Sequence, residues 1–153
     1  MRKLLIRESS SWSVEQIQTY LRNAEIPIRV ACLNGRGAPL ICSLWYLFDG
    51  EAFWCATQSS AKIVRFLRSE PVCGFEIAGD AMPYSGVRGQ GRAQVSVQRG
   101  GEILEKLIER YLHCTDSDFA AWLIKRRDSE VAIRIEPRWL TAWDFGARMR
   151  GAV

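Results

Sequence analysis

Between residues 28 and 57, two compact turn signals divide a stretch rich in β-formers, and this spacing constrains the fold more than any other feature. Ile28 to Leu33 leads into the glycine-rich Asn34-Gly35-Arg36-Gly37, Pro39 to Phe48 leads into Asp49-Gly50, and Ala52 to Thr57 follows. Short glycine-containing turns join antiparallel neighbours, so these residues predict three strands in an antiparallel meander. Parallel strands would need a crossover of about a dozen residues or more at each connection.

Helices and further strands surround this unit. Ser13-Val14-Glu15-Gln16 has the form of a capping box, and Val14, Ile17, Tyr20 and Leu21 recur at helical spacing, which predicts a helix over about 13–24. Ala61 to Ser69 places Ile63, Val64, Phe66 and Leu67 on one helical face before Glu70-Pro71. Val72 to Ile77 reads as a strand, 78–85 as a loop, and Gly86 to Val97 as a strand whose three glycines (Gly86, Gly89, Gly91) point to a bulge or sharp curvature. Arg99-Gly100-Gly101 reads as a turn, Glu102 to Cys114 as an amphipathic helix, and Asp116 or Ser117 as the cap of a second helix to about Lys125. Glu130 to Pro137 and Trp139 to Asp144 read as two further strands, followed by a basic tail. Six or seven short strands interrupted by helices, without βαβ alternation, predict an α+β fold built on an antiparallel barrel.

A length of 153 residues suits a single domain over 1–153. At 48% hydrophobic and 25% charged residues, it has the composition of a globular protein that needs no staples. The formal charge of +4 arises from 21 Lys and Arg against 17 Asp and Glu. The cations are spread along the chain, with Lys125-Arg126-Arg127 the one tight cluster. That pattern suits a small anionic ligand and leads us to expect no nucleic-acid partner. Five cysteines without C-x-x-C spacing, four of them in apolar strand-like settings, point to free thiols in a reducing cytoplasm. The start, Met1-Arg2-Lys3-Leu4-Leu5-Ile6, has too short an apolar run for a signal peptide, and no run is long enough to span a bilayer. A cytoplasmic protein without a membrane partner is therefore expected.

The most suggestive local chemistry lies in Thr57-Gln58-Ser59-Ser60-Ala61-Lys62, between a strand end and a helix start. Hydroxyls, free N–H groups at a helix N-terminus and a lysine in the first turn all favour a phosphate. The same residues also fit a plain helix cap by Ser59 or Ser60 with Lys62 in solvent. Conventional catalytic residues are scarce. His113, the single histidine, falls at a helix end, and no H-E-x-x-H, Cys/His cluster, G-x-S-x-G or dinucleotide fingerprint occurs. No metal site and no catalytic side chain is assigned, and the hard chemistry of an enzyme of this kind would fall to a cofactor. Among six tryptophans, Trp143 is placed either to pack or to stack against a flat ring.

In order along the chain, Gly37-Ala38-Pro39, Phe48-Asp49-Gly50, Ala56-Thr57, Ser60-Ala61-Lys62, Arg68-Ser69-Glu70-Pro71-Val72, Gly89-Gln90-Gly91-Arg92-Ala93, Ile135-Glu136-Pro137 and Trp143 together form a series. This series resembles the pyridoxamine 5'-phosphate oxidase-like family of FMN-binding split β-barrels over about residues 26–145. The resemblance implies an antiparallel split barrel with peripheral helices, and a homodimer with FMN at the subunit interface. It implies an FMN-dependent oxidoreductase acting on a small molecule. The flavin ring would lie along Ser43, Leu44, Trp45 and Tyr46, its phosphate at Thr57, Ser60, Ala61 and Lys62, and Trp143 would reach it from the other subunit. Ala61-Lys62 stands where the oxidases carry Arg-Lys, and Ile41, Tyr46 and Gly86 stand where they carry Arg, Lys and Gln. The Arg and His that hold pyridoxal phosphate there have only Arg148 and Arg150 as counterparts. These departures point away from pyridoxamine phosphate oxidation itself. They leave open a non-catalytic barrel holding flavin, deazaflavin or haem, with His113 as the one histidine for haem.

Overall fold

The structure, a computed structural model, describes residues 4–152; the charged head Met1-Arg2-Lys3 lies outside the described residues. Helix α1 (Val14–Asn23) begins at Ser13, whose hydroxyl accepts from the Gln16 backbone N while Gln16 Oε1 accepts from the Ser13 N. This reciprocal cap satisfies two donors that a helix start leaves open, and it orients Ile17 and Leu21 into the core.

Strands β1 (Ile28–Leu33) and β2 (Pro39–Leu44) form the predicted hairpin, with Val30 opposite Cys42. Beyond it the expected meander does not continue. The single strand predicted over 39–48 divides into β2 and the short β3 (Leu47–Phe48), and β3 pairs with β4 (Phe53–Gln58) at the far side of the sheet. The break falls at Trp45 and Tyr46. Trp45 stacks outside on Tyr111 at 4.9 Å, while Tyr46 turns fully inward and donates its hydroxyl to the carbonyl of Leu21 at 2.9 Å. Two bulky aromatics drawn to opposite sides carry the chain out of one strand and into another.

Helix α2 (Lys62–Ser69), β5 (Val72–Ala78), β6 (Ser85–Ser96), α3 (Gly100–Leu112), α4 (Asp118–Ile124) and β7 (Glu130–Asp144) complete the chain. The seven strands run antiparallel in the order β2-β1-β5-β6-β7-β4-β3, and β2 comes back against β4 so that the sheet curls into a split half-barrel. Alternation fills it: Phe53 and Cys55 of β4, Phe75 and Ile77 of β5, and Ile133 and Ile135 of β7 point inward. The inward thiols behave as small hydrophobes, and burial pushes the Cys73 thiol up to about 12.

Three details differ from the sequence reading. Glu130–Asp144 is one strand, kinked by a register shift that leaves Arg138 unpaired between the Gln90↔Trp139 and Gly91↔Pro137 pairs. Gly100 and Gly101 belong to the first turn of α3 rather than to the preceding turn. Finally, residues 5–12 run along β7 as a strap. Leu140 N donates to Leu5 O and Arg7 N to Leu140 O, both at 3.0 Å, and Ser11 N donates to Ala142 O at 2.9 Å. β4 covers β7 only as far as Ile135, so the strap satisfies backbone groups that the rest of that edge would expose.

No helix among the described residues is long and apolar enough to cross a membrane.

Candidate functional site

Of the residues that sequence singles out, Ser43, Leu44, Trp45 and Thr57 converge on one cleft of about 330 Å³ between the end of β2, the end of β4 and the helices α3 and α4. Strand β2 is an edge strand, hydrogen-bonded to β1 on one side only, so its other side offers backbone N–H and C=O groups to a ligand. Trp45 is fixed by its parallel stack on Tyr111 and an edge contact with Phe119 at 6.4 Å. The remaining walls are apolar: Leu104 and Leu107 of α3, Phe119 and Leu123 of α4.

One end of this cleft is polar. Thr57, Gln58, Arg126 and Glu130 line it. Gln58 and Glu130 face each other as a register pair of β4 and β7, and Gln58 Nε2 donates to Glu130 Oε1. Ser129 donates its hydroxyl to Gln58 Oε1 at 2.8 Å, and Ser59 N donates to Ser129 O at 2.8 Å, which fastens the β4–α2 turn to the segment before β7. Glu130 is only 7% exposed. Burial raises its carboxyl above the ordinary range, while the Gln58 amide and the nearby Arg126 charge oppose that shift.

The other predicted residues lie elsewhere. Tyr46 is a core residue: its hydroxyl is bound to Leu21 and Ala24, and its backbone N donates to Tyr111 Oη at 3.2 Å. Ser60 and Lys62 are exposed and do not line the cleft. Ala61 is the N-cap of α2, and no side chain caps the helix, so neither Ser59 nor Ser60 performs the expected capping. The first-turn N–H groups of α2 therefore stay free of side-chain caps beside the cleft's polar end. Trp143 sits at the far end of β7 opposite Gly86, packed on Phe145 at 5.1 Å, with its indole N–H buried and unpartnered. His113 closes α3 in the left-handed conformation and pairs with Glu25 at 2.7 Å, away from the cleft. Among the described residues no cluster of His, Cys, Asp or Glu could hold a metal.

Sequence reasoning included Gln58 in the suggestive stretch 57–62 without giving it a role of its own, and it missed Arg126 and Glu130 as site residues. Arg126 carried a signal, as the middle residue of the one tight basic cluster, but its direction depends on how α4 ends. A larger cleft of about 620 Å³ lies on the outer face of β6 and β7, lined by Arg92, Arg134, Arg138 and Glu136. None of the predicted residues lines it.

No protein-family model and no curated protein sequence matches the chain. Solved structures do match, and they share its fold. The conserved hypothetical protein Rv2991 from Mycobacterium tuberculosis superposes with a TM-score of 0.72 at 23% identity, covering 94% of this chain and 90% of that one. An F420 reductase gives 0.67 at 18% identity, covering 79% of this chain and 93% of that one. A candidate pyridoxamine 5'-phosphate oxidase from Listeria innocua gives 0.65 at 16% identity, covering 87% and 98%. The chain therefore has the split-barrel fold of these proteins.

Proposed function

We propose that this chain binds a flavin-type cofactor, FMN, in the cleft between β2, β4 and the α3–α4 pair, and serves as an FMN-dependent oxidoreductase for a small molecule. The cleft's own make-up carries this reading. It joins a free strand edge, an apolar wall holding a fixed tryptophan, and a polar end beside an uncapped helix start. A flavin has a flat apolar ring, a polar rim that pairs with backbone groups, and a phosphate. The F420 reductase and the candidate oxidase that share the fold are in keeping with such a ligand.

When bound, a flavin supplies hydride transfer; the chain supplies position and surroundings. Leu104, Leu107, Phe119 and Leu123 would form the apolar wall that keeps water from a bound flavin. The free edge of β2 at Ser43 and Leu44 would offer backbone groups to orient the ring. Gln58 and Glu130 hold a proton-bearing hydrogen bond at the polar end. Trp143 lies away from its own chain's cleft, at the far end of β7 opposite Gly86. A homodimer in which Trp143 completes the partner's cleft is part of this proposal, as is a cytoplasmic setting.

A deazaflavin has the same ring plan and fits the same walls. His113 lies at the far end of α3 and does not line the cleft, so a haem held there would not take its ligand from the chain's one histidine.

The test is an absorption spectrum of freshly purified protein, with the supernatant analysed after heat denaturation. Flavin bands released as FMN are the expected result. A colourless protein that leaves the fluorescence of added FMN unchanged overturns the FMN assignment; binding of added F420 in that case selects the deazaflavin, and a Soret band selects haem.

A further inference from the structure

We infer that Arg126, at the end of α4, is the cation that anchors the phosphate of a flavin in the Ser43–Glu130 cleft, the part that sequence assigns to Lys62. The inference rests on the flavin reading above and adds a chain-specific anchor to it. Arg126 is the one Lys or Arg that lines the cleft, whereas Lys62 is exposed and does not. Its guanidinium lies 4.5 Å over the face of Trp122, which limits its swing without using its donors. It makes no side-chain hydrogen bond to any other described residue, so the planar fork remains available for two phosphate oxygens.

The surroundings favour an anion at that end. Arg126 follows α4, and its backbone is held by Arg126 N donating to Leu123 O and Ser129 N donating to Arg126 O, both at 3.0 Å. The Ser59–Ser129 bond brings the uncapped start of α2 to the same end of the cleft. The one carboxyl that lines the cleft is Glu130: its Oε1 accepts from Gln58 Nε2, its charge is near enough to Arg126 to interact with it, and burial shifts its carboxyl towards the neutral form. No other Asp or Glu lines the cleft.

FMN and riboflavin differ only by the phosphate, so the ratio of their affinities reads the anchor directly. Fluorescence titrations of both ligands are made on the wild type, Arg126→Gln, Arg126→Lys and Lys62→Ala, with thermal midpoints as a control on folding. The wild type is expected to prefer FMN. Arg126→Gln should lower that preference roughly tenfold or more, the size of one charge-assisted hydrogen bond, while riboflavin binding stays unchanged. Arg126→Lys should retain part of the preference, and Lys62→Ala nearly all of it. A preference that survives Arg126→Gln, or one that Lys62→Ala abolishes, overturns the inference and leaves the flavin reading intact. A wild type that binds neither ligand overturns both.

Discussion

The backbone carbonyl of Glu130 occupies the space beside Gly100 so closely that a Cβ on Gly100 would lie 2.0 Å from its oxygen. This contact seats the start of α3 on the start of β7 and thereby sets the distance between the helical wall of the cleft and its polar end. Gly100 is a close-approach glycine: its importance lies in the missing side chain, not in an unusual backbone angle. Gly100→Ala is expected to push α3 away and to cost about 1–3 kcal/mol, the usual range for overpacking. Chemical denaturation measures the cost, and an FMN titration of the same variant should show weaker binding.

Glu130 predicts a pH dependence of stability. Its folded carboxyl titrates above the ordinary 4.5, with burial as the leading cause. The unfolded chain therefore ionises first. The penalty is absent below that value, grows as pH rises towards the folded value, and stays constant above it. Glu130→Gln keeps an acceptor for Gln58 and removes the penalty. Relative to wild type, its thermal midpoint should rise between about pH 4 and pH 7; a constant difference across that range contradicts the buried-carboxyl account.

Tyr111 supports the break between β2 and β3. Its hydroxyl accepts from Tyr46 N at 3.2 Å and donates to Ile26 O at 3.1 Å, while its ring carries Trp45. Tyr111→Phe keeps the stack and orphans a buried backbone N–H. A loss of about 1–3 kcal/mol is expected, with the near-ultraviolet signature of the tryptophans largely retained. A neutral result would mean that water replaces the hydroxyl.

His113 occupies the left-handed position after α3, with φ of 53°, and its bond to Glu25 is at the surface. Glycine holds that conformation without strain, and the exposed pair contributes about 1 kcal/mol or less. His113→Gly should therefore be neutral or stabilising by up to about 1 kcal/mol in thermal unfolding, and it should leave the cleft's ligand affinity unchanged.

What sequence alone determined was local. The capping box at Ser13 and Gln16, the hairpin at Asn34 to Gly37 and the amphipathic stripe of α3 follow from residues within a few positions of one another, and all appear where expected. The half-barrel was also legible, because short turns and closely spaced glycines exclude a parallel sheet. Only the tertiary structure decided which strands are neighbours. Besides its short hairpin with β3, β4 pairs with β7, more than seventy residues away, and the separation of β2 from β4 follows from where Trp45 and Tyr46 find cover. The site follows the same division. Ser43, Leu44, Trp45 and Thr57 could be named from their order along the chain. Arg126 and Glu130 enter the cleft because α4 ends against the β4–α2 turn, and Glu130 loses its water because Gly100 lets α3 settle on it. Turn and helix signals act over a few residues, whereas burial and strand partnership are set by whichever distant surface covers a side chain.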